Sequence, residues 1–198
     1  MRKEKLLELK RYINELKTIK MERIDTESKF LKTEVYDCSL NNGNTIRRER
    51  LIKGNNNGSA VIILPITVEN EVLLVVEPRV FTKKSVGVGL PAGYIEYGEK
   101  DLDAAFRELK EETGYEATRL INLGGFYQDT GCSSAYNKMF LALGCEKTSN
   151  QSLDKDEFVK YFLCKPEEML ELIDLGYIQG GNALLTIEKA KKYILRRN

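Results

Sequence analysis

The stretch AGYIEYGEKDLDAAFRELKEETGY, residues 92–115, packs glycines and carboxylates into one block, and the reading of the rest of the chain follows from it. An α-helix turns about 100° per residue, so with Glu108 set at 0°, Glu111 falls near 300° and Glu112 near 40°. Three carboxylates therefore share one strip. Leu102, Ala105, Phe106 and Leu109 fall between roughly 60° and 160° on the same wheel, an apolar stripe beside the acidic one. Such a helix is expected to bury one face and present the other. Carboxylates three or four residues apart repel by a few tenths of a kcal/mol per pair, so the strip is unfavourable until a cation lies on it. Mg²⁺ and Mn²⁺ take hard oxygen ligands and are commonly held by a few carboxylates together with substrate phosphates. The competing reading is a solvated acidic face.

Ahead of the helix, LPAGYIEYGE (residues 90–99) reads as a loop in which Gly93 and Gly98 permit backbone conformations that a Cβ resists, so it can bring carbonyls to a metal. Asp101 is expected as the N-cap and Gly114 as the left-handed residue past the end, with about three turns of good helix formers between them. The spacing then carries a resemblance. Gly93, five residues, Glu99, seven residues and Arg107-Glu108-Leu109-Lys110-Glu111-Glu112-Thr113-Gly114 are similar to the signature box of the Nudix hydrolases at all seven of its fixed positions. Each residue type has a background frequency below about a tenth, so seven agree by chance at under roughly 10⁻⁷ per starting position. The box usually ends on an aliphatic residue where this chain has Tyr115, a difference expected to alter local packing and leave the chemistry intact.

The resemblance implies an α/β (α+β) fold: an α/β/α sandwich around a mixed β-sheet, here preceded by an N-terminal helix and an antiparallel strand pair. It also implies site roles. The carbonyl of Ala92 with Glu108 and Glu112 would hold Mg²⁺, or Mn²⁺ in its place, and Glu111 would join that metal shell and help to activate water. Arg107 would orient the carboxylates, and Glu99 would steady the loop against the helix. Arg107 and Glu111 stand one turn apart and can pair, which an ordinary surface ion pair would do as well.

Composition is compatible with a cytoplasmic enzyme. The chain has 198 residues, 42% hydrophobic and 31% charged, with a net charge of +1. That points to one medium domain (residues 57–198) behind an N-terminal helix-and-hairpin extension (residues 1–56), a candidate dimerisation arm. A near-neutral balance lacks the basic excess of a nucleic-acid binder. No apolar run approaches the roughly 20 residues of a membrane span, and MRKEKLLELK has no signal-peptide core. Cys38, Cys132, Cys145 and Cys164 show no CxxC spacing, and the chain has no histidine, which sets aside zinc fingers, histidine bases and Ser-His-Asp triads.

Along the chain, Leu6, Leu9, Ile13 and Leu16 recur at helical spacing with basic residues opposite, suiting core docking, a dimer contact or a membrane surface. FLKTEVYDC and IRRERLIK read as strands around NNGN. After NNNG, SAVIILPITV and EVLLVVEPRV read as a second pair. Beyond the box, LINLGGFY, KMFLALGC and FVKYFLC read as strands, followed by helices over PEEMLELIDLG and NALLTIEKAKKYILRR. Strands around one mid-chain helix and two terminal ones suggest a mixed sheet covered on both faces.

From about Phe30 onward the chain resembles the ADP-ribose pyrophosphatase branch, in LLVVEPRV, LPAGYIEYGE and LELIDLGYIQGGNALLTIEKA. That implies a small-molecule nucleotide substrate, ADP-ribose cleaved to AMP and ribose 5-phosphate. It also implies a two-fold homodimer in which N-terminal strands reach across to the partner. The branch commonly has a proline where Thr130 stands and an acidic residue where Ser133, Ser134 and Ala135 stand. Another nucleoside diphosphate derivative or a dinucleotide is the rival substrate, and a metabolite-binding regulator without turnover is the rival class. The intact box favours an enzyme. A general base must lie outside the strip to approach water from another angle. By the resemblance it is Glu157 in SLDKDEFVKYF, with Asp154 or Asp156 as substitutes and a solvated loop as the alternative. Arg79 suits a phosphate or carboxylate, and Phe81 and Tyr127 are either stacking platforms for a base or core residues.

Overall fold

The longest apolar runs of the sequence become the centre of the sheet. The structure, a computed structural model, describes residues 1–54 and 57–194. Strand β3 (Ala60–Thr67) is buried at every position, as befits a strand covered on both faces. It runs antiparallel to β4 (Val72–Pro78) and parallel to β9 (Tyr136–Lys147). β10 (Lys160–Cys164) and β7 (Tyr115–Glu116) complete the order β10-β4-β3-β9-β7. β5 (Val86–Gly89) lies beside β4, β6 (Ala92–Tyr94) beside β3, and β8 (Arg119–Tyr127) beside β9.

Alternation along β3 sorts the core into two layers. Ile62, Leu64 and Ile66 join Leu9 of α1 (Lys3–Leu16), Met169 and Leu172 of α3 (Pro166–Asp174), and Ala183, Ile187 and Ala190 of α4 (Gly181–Ile194). Val61 and Ile63 meet Ala104, Ala105 and Leu109 of α2 (Asp101–Thr113) on the other face. The result is the expected α/β/α sandwich around a mixed sheet. Of the three readings of α1, the structure shows core docking. Leu9 is fully buried, a contribution of about 1.5–3 kcal/mol, and Arg2 donates to both oxygens of Glu168 at 2.9 and 2.8 Å. Strands β1 (Leu31–Ser39) and β2 (Thr45–Lys53) form a separate hairpin. Leu51 N donates to Cys132 O at 2.7 Å, and Arg50 donates to Ser134 Oγ at 2.9 Å.

Several expectations are corrected. LPAGYIEYGE is not all loop: Ala92–Tyr94 pairs with Ala60–Ile62 as β6, a strand too short to show periodicity. β5 and β7 escaped notice for the same reason. Lys100, not Asp101, occupies the N-cap of α2, accepting from Ala104 N at 3.0 Å through its carbonyl. The Asp101 carboxylate accepts from Leu102 N at 3.0 Å and still favours the positive end of the helix. Gly114 is left-handed as expected, with φ 75°. The buried arc of α2 is also rotated from the expected stripe. It runs from Ala104 through Glu108 and Glu112 to Thr113, while Leu102 and Phe106 lie outside it, 44% and 37% exposed. Asn55 and Asn56 of the expected NNNG turn, and residues 195–197 of the last expected helix, lie outside the described residues.

Candidate active site

The rotation of α2 is what builds the site, because it turns Glu108 and Glu112 inward beneath β6. A Cβ at Gly93 would stand 2.0–2.2 Å from the three carboxyl atoms of Glu108, so the side chain occupies space that only glycine leaves open. Glu112 accepts from Ala92 N at 3.1 Å. Arg107 organises the rim: Nε and Nη2 donate to the two oxygens of Glu99 at 2.8 Å each, and Nη2 to Tyr94 O at 3.1 Å. Its Nη1 donates to Glu108 at 2.7 Å and to Glu111 at 3.0 Å. A cleft of about 690 Å³ opens in front of Glu108 and Glu112. Glu77 and Arg79 line it from the end of β4, the 154–158 loop from one side, and Lys53, Gln128 and Asn182 from the other.

Burial drives the electrostatics. The Glu112 carboxyl is pushed well above the usual carboxylate range by burial and then by the charges of Glu77 and Glu108, with the Ala92 N–H working the other way. Burial pushes Glu108 up to about 7 against the pull of Arg107. Glu77 is raised by burial too, partly offset by Arg79. Glu99, in contrast, is lowered by its Arg107 hydrogen bonds. Among the described residues no three acidic, cysteine or histidine side chains are preassembled as a metal cage. The donor set still fits a hard divalent cation: Glu108 and Glu112 are carboxylates held inside the fold, and the burial and charge repulsion that raise them are what a bound cation offsets.

The Nudix domain family matches residues 56–181. The chain belongs to the Nudix family. It is 34% identical over 175 residues to the methanol dehydrogenase activator of Bacillus methanolicus, covering 88% of this chain and 91% of that one. It is 35% identical over 178 residues to the ADP-ribose pyrophosphatase of Bacillus subtilis (strain 168), with the same coverage of 88% and 91%. A crystal structure of an ADP compounds hydrolase superposes with a TM-score of 0.72 at 24% identity, covering 87% of this chain and 91% of that one, a likeness of fold.

Within this Nudix frame the other residues singled out in the sequence fall as follows. Arg79 lines the cleft and pairs with Glu77. Glu157 lines it from a tight turn in which Asp154 N donates to the Glu157 carboxylate at 3.1 Å, and Asp154 and Asp156 line it as well. Glu111 sits on the outer edge of the strip under Arg107, its side chain 41% exposed. Phe81 and Tyr127 are not core residues. Phe81 is 92% exposed and Tyr127 is 56% exposed, edge-on to Tyr136 at 4.9 Å, and neither is in the wall of the cleft.

Sequence reading missed Glu77, Lys53, Gln128 and Asn182. A carboxylate closing the apolar run VLLVV was a usable signal for Glu77. The others carry no local signal: topology brings them together in a chain from Lys53 Nζ to Gln128 Oε1 at 2.9 Å, Gln128 Nε2 to the buried Asn137 at 2.7 Å, and Asn137 to Asn182 at 3.3 Å.

The raised carboxyls predict a pH dependence. A carboxyl whose folded pKa lies above its unfolded value makes the native state bind more protons, so stability falls as pH rises between the two. For Glu108 that window runs from 4.5 to about 7. Thermal unfolding in chelator is expected to occur at progressively lower temperature across this window, and Mg²⁺ is expected to restore the loss at neutral pH. A melting temperature that instead rises to pH 7 in chelator would show that the acidic pair does not dominate.

Proposed function

We propose that this Nudix chain hydrolyses the pyrophosphate bond of a nucleoside diphosphate sugar, ADP-ribose to AMP and ribose 5-phosphate, with Mg²⁺ as the cation and Mn²⁺ able to replace it. One observation carries the proposal: a single cleft joins the inward-turned, electrostatically strained pair Glu108 and Glu112 to the phosphate-matching guanidinium of Arg79. The near full-length match to an ADP-ribose pyrophosphatase supports the substrate class. Glu108, Glu112 and the Ala92 carbonyl would hold the cation, which when bound offsets negative charge on the pyrophosphate oxygens. Arg79 binds phosphate oxygens in a planar, bidentate fashion. Arg107 keeps Glu108 in the cleft wall and pairs with Glu111 on the outer edge of the strip, and Glu99 fixes Arg107. Glu157 takes the proton from the attacking water as its oxygen bonds to phosphorus, with Asp154 and Asp156 in the same turn as substitutes. The bridging oxygen leaves with the other phosphate. Phe81 and Tyr127 lie outside the cleft wall and are assigned no contact with the substrate.

A panel of nucleoside diphosphate sugars, dinucleotides and nucleoside triphosphates tests the substrate class. The highest kcat/KM is expected for ADP-ribose. A triphosphate turned over best, with ADP-ribose untouched, would move the chain out of this branch. The likeness to a dehydrogenase activator favours a second reading, action on another enzyme. The complete strip makes turnover part of that action too, since binding alone does not require it.

We further propose a homodimer in the cytoplasm. Val35 and Tyr36 on the β1–β2 hairpin are 63% and 44% exposed, and the hairpin edges need cover, which a second copy supplies. All four cysteines are unpaired, which suits a reducing compartment. No described helix is long and apolar enough to cross a membrane. Light scattering on a sizing column is expected to give twice the chain mass of 22.6 kDa, and the double substitution Val35→Glu, Tyr36→Glu on the hairpin to lower both assembly and substrate affinity. A fully active monomer would end the dimer proposal.

A further inference from the structure

The acidic cleft does not end at Arg79. A second depression of about 330 Å³ lies beside it and shares Glu77, Arg79, Ala92 and Asn182 with it. Val86, Val88 and Leu90 give this depression apolar walls, and Gln179 and Asn182 give it polar groups, a lining suited to a nucleoside. The second depression in turn shares Lys84, Tyr177 and Gln179 with a third, of about 680 Å³. The three are neighbours with shared walls, and the two outer ones carry opposite charge.

At the far end the lining includes Lys10, Lys17, Lys83 and Lys84 and no carboxylate. Lys10, Asn14 and Lys17 recur at helical spacing on one strip of α1 and its C-cap. Thr18 N donates to Ser85 Oγ at 3.2 Å, which ties the end of α1 to the turn carrying Lys83 and Lys84, so both lysine pairs are held around one groove. Lys84 donates to Gly176 O at 2.9 Å and lies 4.8 Å from the Tyr177 ring centroid. Lys10, Lys17 and Lys83 form no ion pair among the described residues. Like charges gathered without a counter-charge repel, and a phosphate dianion reverses that sign.

We propose that the lysine groove binds a phosphate monoester on the ribose of the nucleoside, at the 2′ or 3′ position, so that the chain selects nucleoside diphosphate derivatives carrying this third phosphate. The proposal rests on the reading of the acidic cleft only for which bond is cut. The diphosphate lies at the carboxylate end, the nucleoside fills the apolar-walled middle, and the extra phosphate reaches Lys17 and Lys83. No covalent step is added, and the gain is one of affinity and selection.

The test separates binding from turnover. Calorimetric titration of the full chain with AMP, adenosine 2′,5′-bisphosphate and adenosine 3′,5′-bisphosphate is expected to show one bisphosphate binding about tenfold or more tighter than AMP, the advantage shrinking with added salt. In the double variant Lys17→Glu, Lys83→Glu that advantage should vanish, while AMP affinity and ADP-ribose turnover stay as in the wild type. Equal affinity for all three nucleotides, or an advantage that survives the double substitution, would overturn the proposal. So would inorganic phosphate tightening AMP binding to the same extent, which would assign the lysines to a free anion. Failure of ADP-ribose turnover alone would count against the function proposed above and leave this binding result to be judged separately.

Discussion

Glu112→Gln is expected to lower kcat by about 10²- to 10³-fold in saturating Mg²⁺, the scale of losing one group that stabilises transition-state charge. The same substitution should raise the melting temperature of the protein in chelator. Both effects have one cause. Glu112 is 5% exposed and its carboxyl is raised by burial and by Glu77 and Glu108, so its ionised form burdens the cation-free fold and rewards the cation-bound one. Glutamine keeps the shape, and its carbonyl oxygen can still accept from Ala92 N, so the structure around β6 should hold. Wild-type kcat in the variant would remove Glu112 from the site, and an unchanged melting temperature would show that its charge is not a burden.

Gly93→Ala is expected to cost about 100-fold in turnover with the fold retained, because displacement of a reacting or positioning group by about 1 Å has effects of that order. The added methyl would need the space of the Glu108 carboxyl, whose atoms lie 2.0–2.2 Å from the Cβ position. β6 cannot shift away easily, since Val61 and Ile62 hold it in register against Gly93 and Ala92. The carboxylate must therefore move, and its bond from Arg107 Nη1 with it. Circular dichroism should stay that of the wild type while the concentration of Mg²⁺ needed for half-maximal rate rises. Normal turnover in Gly93→Ala would show that Glu108 has no fixed place in the chemistry.

The helix and its carboxylates were legible from spacing, and a sheet covered on both faces was legible from the order of strands around one mid-chain helix and two terminal ones. The sense of the burial was not. An apolarity wheel placed Leu102 and Phe106 inside and the carboxylates outside, yet the helix turns Glu108 and Glu112 under a strand. That choice depends on Gly93 leaving room for a side chain from another element, which no local pattern encodes. The polar wall of Lys53, Gln128 and Asn182 was invisible for a related reason: its members lie on β2, after β8 and on α4, and only the packing of hairpin, sheet and helix brings them together. Phe81 and Tyr127 were drawn from residue type without a position, and they stand at the surface.

The central claim is cation-dependent hydrolysis of a pyrophosphate bond at the Glu108–Glu112 strip. Incubating the purified chain with ADP-ribose and Mg²⁺ and separating the products by anion exchange tests it directly. AMP and ribose 5-phosphate should form in equal amounts, at a rate abolished by chelator and reduced to near background in Glu112→Gln. Intact ADP-ribose, or products formed equally well in excess chelator, would contradict the account.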